Sequence, residues 1–160
     1  MTNEKFELLA DQSITVFGIT LFRIRARIAF GNVGKDELGG FVEKESNVDT
    51  SGNAWVYGNA RVYGNAQVSG NARVYGNAWV SGNASLVWFS HVGSESSTLT
   101  AFRAKTGIEV TRGCFHGTID EFAAAVETQH GTSQIGAEYR LLIEFIRLRF
   151  KDAAQQSEAA

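Results

Sequence analysis

From Gly52 onward the apolar positions fall in a six-residue rhythm. Gly-Asn-Ala recurs at 52–54, 58–60, 64–66, 70–72, 76–78 and 82–84, and Val56, Val62, Val68, Val74, Val80 and Leu86 each stand two places after an alanine. Residues two apart on extended chain point to the same side. The small column (Ala54, Ala60, Ala66, Ala72, Ala78, Ala84) and the larger one therefore both face inward, and the period predicts a hexapeptide parallel β-helix. The Gly-Asn pairs mark corners, where glycine takes a positive φ at little cost. With three hexapeptides per coil, residues 18 apart stack. Trp55 then lies over Arg73, Arg61 over Trp79, Gln67 over Ser85, Tyr57 over Tyr75 and Tyr63 over Ser81. Such stacked pairs stabilise neighbouring coils by roughly 0.5–1 kcal/mol each. Trp, Tyr and Arg displayed outward are also the residues enriched at binding hot spots. Both readings stand.

The flanks have other periods. Ser13–Val16 and Ile19–Phe30 predict a hairpin around Phe17-Gly18. In the second run Phe22, Ile24, Ala26, Ile28 and Phe30 alternate with Arg23, Arg25 and Arg27. This is a half-buried strand with a basic face, or an anion site, since the three guanidiniums span about 13 Å. Glu4, Glu7 and Asp11 are available to pair with them. Val42 and Val48 extend the repeat phase upstream, in degraded form. Beyond the array, Thr98–Arg103 and Ile108–Phe115 predict a second hairpin about Lys105-Thr106-Gly107. Thr118 and Glu121 form a capping box that opens a helix to about Gln129, and Gly131 stops it. A second helix is expected from about Ile135 to Asp152. Its polar stripe is Arg140, Glu144, Arg147 and Lys151, and its apolar face is too wide for one contact. Leu141, Phe145 and Leu148 are the candidate oligomerisation residues.

These elements organise the chain as an N-terminal β-hairpin cap (1–35), a β-helix (36–90), a ββαα capping and oligomerisation unit (91–153) and a frayed tail (154–160). The fold class is mainly β with an α+β tail. Six repeats give too few coils to stand alone, so both ends need covering.

Composition narrows the function classes. The 160 residues are 44% hydrophobic and 20% charged, with net charge −2, which advertises neither nucleic-acid nor membrane binding. No apolar run is long enough to span a bilayer, and the start lacks the order of a secretory signal. One cysteine and no proline leave no intrachain disulfide, no Cys-based zinc site, and turns made by Gly, Asn and Asp. The expected location is the cytoplasm of a bacterial host. Candidate catalytic bases are His91, His116 and His130. Each reads first as a loop or cap residue, and none has paired metal-ligand spacing. Cys114 with His116 offers a nucleophile and base, with nothing in sequence to orient the imidazole. The glycines repeat as corners and form no phosphate loop. No metal and no cofactor is expected.

Leu38-Gly39-Gly40-Phe41-Val42-Glu43-Lys44-Glu45-Ser46-Asn47, followed by Gly-Asn-Ala-Trp-Val-Tyr and further Gly-Asn-Ala-x-Val units, resembles a family of phage and prophage hexapeptide-repeat proteins. Ile24-Arg25-Ala26, the segment from Gly113 to Phe122, His130-Gly131 and Glu138-Tyr139 carry the same resemblance. It implies a left-handed β-helix in a mobile-element accessory protein, and transfers no catalytic residues. Where that family's hairpin would have Asn-Gly, this chain has Phe17-Gly18.

The leading expectation is a non-catalytic, self-associating binding module. Its target is a host protein or complex, such as a component of antiviral defence, or a small signalling molecule it sequesters. Its contact surface is Trp55, Arg61, Arg73, Trp79, Tyr57 and Tyr75, with Arg23, Arg25 and Arg27 as the anion-binding set. The rivals are an acyltransferase-like enzyme and a structural virion protein.

Overall fold

A computed structural model describes residues 3–105 and 107–158, with side chains described through Lys151. It is mainly β, with two helices at the C-terminal end.

The N-terminal hairpin pairs β1 (Phe6–Val16) with β2 (Ile19–Ala26) antiparallel. Its turn residues Phe17 and Gly18 have φ of 51° and 79°. Two consecutive left-handed residues are what a tight type I′ hairpin turn requires. β1 starts well before the expected Ser13, and β2 ends at Ala26, leaving Ile28 exposed and Phe30 in a single bridge to Val33. A short β3 (Leu38–Val42) pairs antiparallel with β2 on one side and parallel with β5 (Arg61–Val62) on the other. The hairpin and one solenoid face thus form a single five-stranded sheet, β1-β2-β3-β5-β7, ending at β7 (Trp79–Val80).

The repeats build three ladders. β3, β5 and β7 form the first. Val48 and Val68 bridge in the second. β4 (Trp55–Val56) and β6 (Arg73–Val74) form the third, with Trp55 opposite Arg73. Ala54, Ala60, Ala66, Ala72 and Ala78, with Val56, Val62, Val68, Val74 and Val80, are buried in one core. At the corners Gly58, Gly64, Gly70 and Gly76 have φ near +60°, while the asparagines after them do not. The alanine N–H then closes each turn, as from Ala60 to the Tyr57 carbonyl at 3.1 Å. That is the type II′ pattern, which only glycine enters freely at its first central position.

The array departs from the regular phase at both ends. Val42 and Val48 pair with Val62 and Val68, 20 residues on rather than 18. The first coil holds two extra residues, and both valines belong to the large column. At the other end Ala84 is exposed and Ser85 buried, because a 3-10 turn at Asn83–Ser85 rotates the chain. Gln67 finds no ladder partner at Ser85; its N–H donates instead to the Asn83 side chain at 3.2 Å.

The C-terminal unit has four strands where two were expected. β8 (Leu86–Val92), β9 (Ser97–Ala104), β10 (Gly107–Arg112) and β11 (Phe115–Thr118) form an antiparallel sheet in the order β11-β10-β9-β8. The turn residue Thr106 lies outside the described residues. β8 begins at Leu86, which still fits the repeat phase, so the period alone does not show where the new sheet starts. Phe102 of β9 joins the solenoid core and closes its last coil.

Helix α1 (Ile119–His130) opens on the capping box: the Thr118 Oγ1 accepts from Glu121 N at 3.1 Å, and Thr118 N donates to the Glu121 carboxylate at 2.8 Å. Helix α2 (Gln134–Glu158) runs past the expected end at 152 into the segment expected to fray. Residues 159–160 of that tail lie outside the described residues. Tyr139, Ile143, Ile146 and Phe150 bury the inner face of α2 in a second core with α1 and β9–β10. Leu141, Phe145 and Leu148 remain 67%, 42% and 66% exposed. The polar stripe ties α2 to α1 through Arg140–Glu127 at 3.0 Å and Arg147–Asp120 at 2.8 Å.

Candidate functional site

The two Trp/Arg pairs that look alike in sequence have opposite surroundings. Trp55 is fully buried, which removes it from the contact surface. Phe6 and Phe30 pack edge-on against its ring at 5.9 and 5.3 Å. Gly39 admits the indole: a Cβ there would stand 2.8 Å from Trp55 Cζ2 and 2.6 Å from the Val56 carbonyl. Its partner Arg73 is taken up by the C-terminal sheet. Its Nη2 donates to the Gly113 carbonyl at 2.8 Å, and its backbone bonds Thr100 and Thr111 at 3.1 and 2.8 Å.

The second pair stays open. The Arg61 guanidinium lies 5.6 Å from the Trp79 ring centre. Phe17, 77% exposed, meets Trp79 edge-on at 6.0 Å. Beside them is a groove of about 430 Å³ lined by Ile14, Phe41, Asn59, Arg61, Asn77, Trp79 and Lys105. The lining carries two cations and no carboxylate. Phe17 was not among the sequence candidates. The signal that could have found it is an aromatic at a turn position where Asn is the usual residue, since a bulky side chain at positive φ is disfavoured.

Arg23 and Arg25 of β2, and Arg27 just beyond it, are engaged within the fold rather than gathered as an anion site. Glu7 stands directly opposite Arg25 in the hairpin register, binds its guanidinium through Nε at 2.9 Å and also through Nη2, and reaches Arg27 at 3.9 Å. Glu7 holds the Arg25 guanidinium's pKa above its ordinary value. Arg23 lies over Phe41 and donates to the Gly39 carbonyl at 2.8 Å.

A cleft of about 630 Å³ opens between the third solenoid face and the β8–β9 and β10–β11 turns. Tyr57 and Tyr75 stack along it at 4.1 Å with a 3° interplanar angle, as the 18-residue spacing requires. His116 extends the ladder, 5.6 Å from Tyr75. Burial and the neighbouring phenol raise the Tyr57 pKa well above the usual tyrosine range. His116 is oriented by a group the sequence did not suggest: its Nε2 is 2.9 Å from the nearly buried Glu109 carboxylate. Glu109 lies opposite Thr118 on the β10–β11 ladder, and Thr111 faces His116. The dyad is thus a product of strand pairing, which sequence spacing does not reveal. His91, at φ 61° in a bulge of β8, and Cys114, exposed in the two-residue β10–β11 turn, line the same cleft. Cys114 is therefore neither a core residue nor on a strand with His116. His130 is elsewhere, at the end of α1, 5.6 Å from Tyr139. No cluster of three metal-ligating side chains occurs among the described residues.

Residues 54–68 and 66–82 match the YdcK β-solenoid repeat family. The match covers the regular array and bears on architecture alone. A search of curated proteins gives no match. Among the described residues no helix is long and apolar enough to cross a membrane.

Proposed function

We propose that the protein is a non-catalytic binding module of phage or prophage origin. It engages an acidic surface of a host protein, in the manner of an inhibitor of host defence, through Phe17, Trp79, Arg61 and Lys105. One observation carries this reading: a phenylalanine is held at positive φ with three quarters of its surface in water, against a half-buried tryptophan. The turn requires positive φ at this position but not a large exposed aromatic, and such features concentrate at functional sites. The cationic lining beside it favours a negatively charged partner. The mobile-element assignment and the left-handed sense of the solenoid rest on the family resemblance, and the repeat match supports a β-solenoid. The exposed Leu141, Phe145 and Leu148 belong to the same reading as the self-association face. Sedimentation as a monomer at all concentrations removes that part.

The test is affinity capture from an infected host, with wild type and the Phe17→Gly/Trp79→Ala variant run in parallel. A partner that is held by wild type, released by rising salt and missed by the variant supports the proposal. Equal capture by both sinks it.

A transferase remains the second reading because one contact favours it. Glu109 holds the His116 ring at Nε2, as a carboxylate orients a general base. Turnover of an acyl donor that is lost in His116→Ala would decide for it.

A further inference from the structure

We infer that the cleft over the Tyr57/Tyr75 ladder is a binding site for a small organic oxyanion, a phosphate ester or carboxylate no larger than a nucleotide. This site is separate from the Phe17/Trp79 surface and does not rest on it. Its volume, about 630 Å³, lies within the range of small-molecule pockets. Its sixteen lining residues include arginine, tyrosine, asparagine, serine, threonine and histidine, and no aspartate, glutamate or lysine. The carboxylates nearby each have a partner within the fold. Glu109 binds His116, Glu95 pairs with Arg112 at 3.5 Å, and Glu37 accepts from the Gly34 N–H at 2.9 Å.

Arg73 is the centre of the site. It makes no ion pair among the described residues, yet it is fixed in place by the Gly113 carbonyl at its Nη2 and by Thr100 and Thr111 at its backbone. A guanidinium held at the base of a cleft without a counterion keeps most of its fork of donors for a ligand. The Arg73 charge also reaches the Tyr57 phenol. Tyr57 and Tyr75 stack on each other and both line the cleft, and each phenol carries an O–H that a ligand oxygen can accept from. Asn53 and Asn71, at the same corner of successive coils, also line the cleft and carry amide donors. The donors come from solenoid coils and a sheet turn, all rigid elements, so little ordering cost falls on binding.

Calorimetric titration with inorganic phosphate, adenosine 5′-monophosphate, citrate and adenosine tests the assignment. Saturable binding of the nucleotide without binding of adenosine is expected. Binding of citrate as well places carboxylates within the ligand class, and its failure narrows the class to phosphates. Arg73→Gln should weaken the nucleotide at least about tenfold. Because Arg73 also braces the Gly113 turn, Tyr57→Phe/Tyr75→Phe serves as the second variant; it keeps the stacked rings and should weaken binding about threefold or more. The Phe17→Gly/Trp79→Ala variant should bind the nucleotide like wild type, so loss of partner capture and loss of anion binding are distinguishable. Absence of binding by every anion, adenosine binding as tightly as its monophosphate, or unchanged affinity in both cleft variants overturns the inference.

Discussion

Trp55/Arg73 and Arg61/Trp79 are the same two residue types in the same ladder geometry, on adjacent faces of one solenoid. One pair is structural and the other is displayed. Nothing in the repeat distinguishes them; the difference is what the flanks lay on top. The N-terminal segment puts Phe6, Phe30 and Ile24 over Trp55, and the C-terminal sheet holds Arg73. Trp79 stays half-buried, with Phe17 edge-on to its ring and the Arg61 guanidinium over it. A repeat residue thus takes its role from the cover it receives rather than from its identity.

The strongest way to break this comparison is to truncate both indoles. Trp55→Ala should cost about 3–5 kcal/mol in urea unfolding, as a large core aromatic does, and Trp79→Ala about 1 kcal/mol or less. Similar costs would mean that Trp79 is as much core as Trp55. Trp55→Phe should be far milder than Trp55→Ala, because the indole Nε1 has no hydrogen-bond partner to lose.

Gly39→Ala probes the cover itself. The added methyl would stand 2.6 Å from both Ile24 Cγ1 and the Val56 carbonyl, lifting the hairpin sheet off Trp55. A loss of about 1–3 kcal/mol is expected, with increased quenching of tryptophan fluorescence by added iodide or acrylamide. An unaltered melting temperature would show that the hairpin sheet yields without cost.

On the open face the sign should reverse. Phe17→Gly relieves a bulky residue at positive φ and should stabilise the fold by up to about 1 kcal/mol in thermal melts while abolishing partner capture. A destabilised Phe17→Gly protein would make Phe17 part of the cover rather than part of the display.

A pH-dependent effect comes from Lys5, which anchors the covered side. Its ammonium donates to the Asp49 and Ala54 carbonyls at 2.9 and 2.8 Å, and burial lowers its pKa from 10.5 to about 8. Between those values the unfolded chain binds the proton that the folded one releases, so stability should rise as pH increases from about 8 toward 10. Above pH 10 the raised Tyr57 pKa works in the opposite direction, since the unfolded phenol ionises first. Lys5→Met should flatten the rise, as read from denaturant midpoints across that range.

Much of this was legible in the chain. The hexapeptide columns, the Tyr57/Tyr75 stack, the Arg61–Trp79 pair and the Thr118/Glu121 cap are local or strictly periodic, so spacing alone places them. The two extra residues of the first coil, the rotation that exposes Ala84, and the strands β8 and β11 were not legible. Each depends on where the array stops pairing with itself, which the repeat does not encode. The His116–Glu109 dyad and the commitment of Arg25 to Glu7 were hidden for the same reason: both arise from cross-strand register between segments with no shared period.

The sequence by itself determined a solenoid of inward alanine and valine columns with glycine corners, because a six-residue period leaves extended chain only one way to bury both columns. Only the tertiary structure decided which outward residues remain available. Covering is a contact between non-repeating flanks and one particular coil, and it turned Trp55 into core, drew Arg73 into the floor of a cleft, and left Trp79 beside an exposed Phe17.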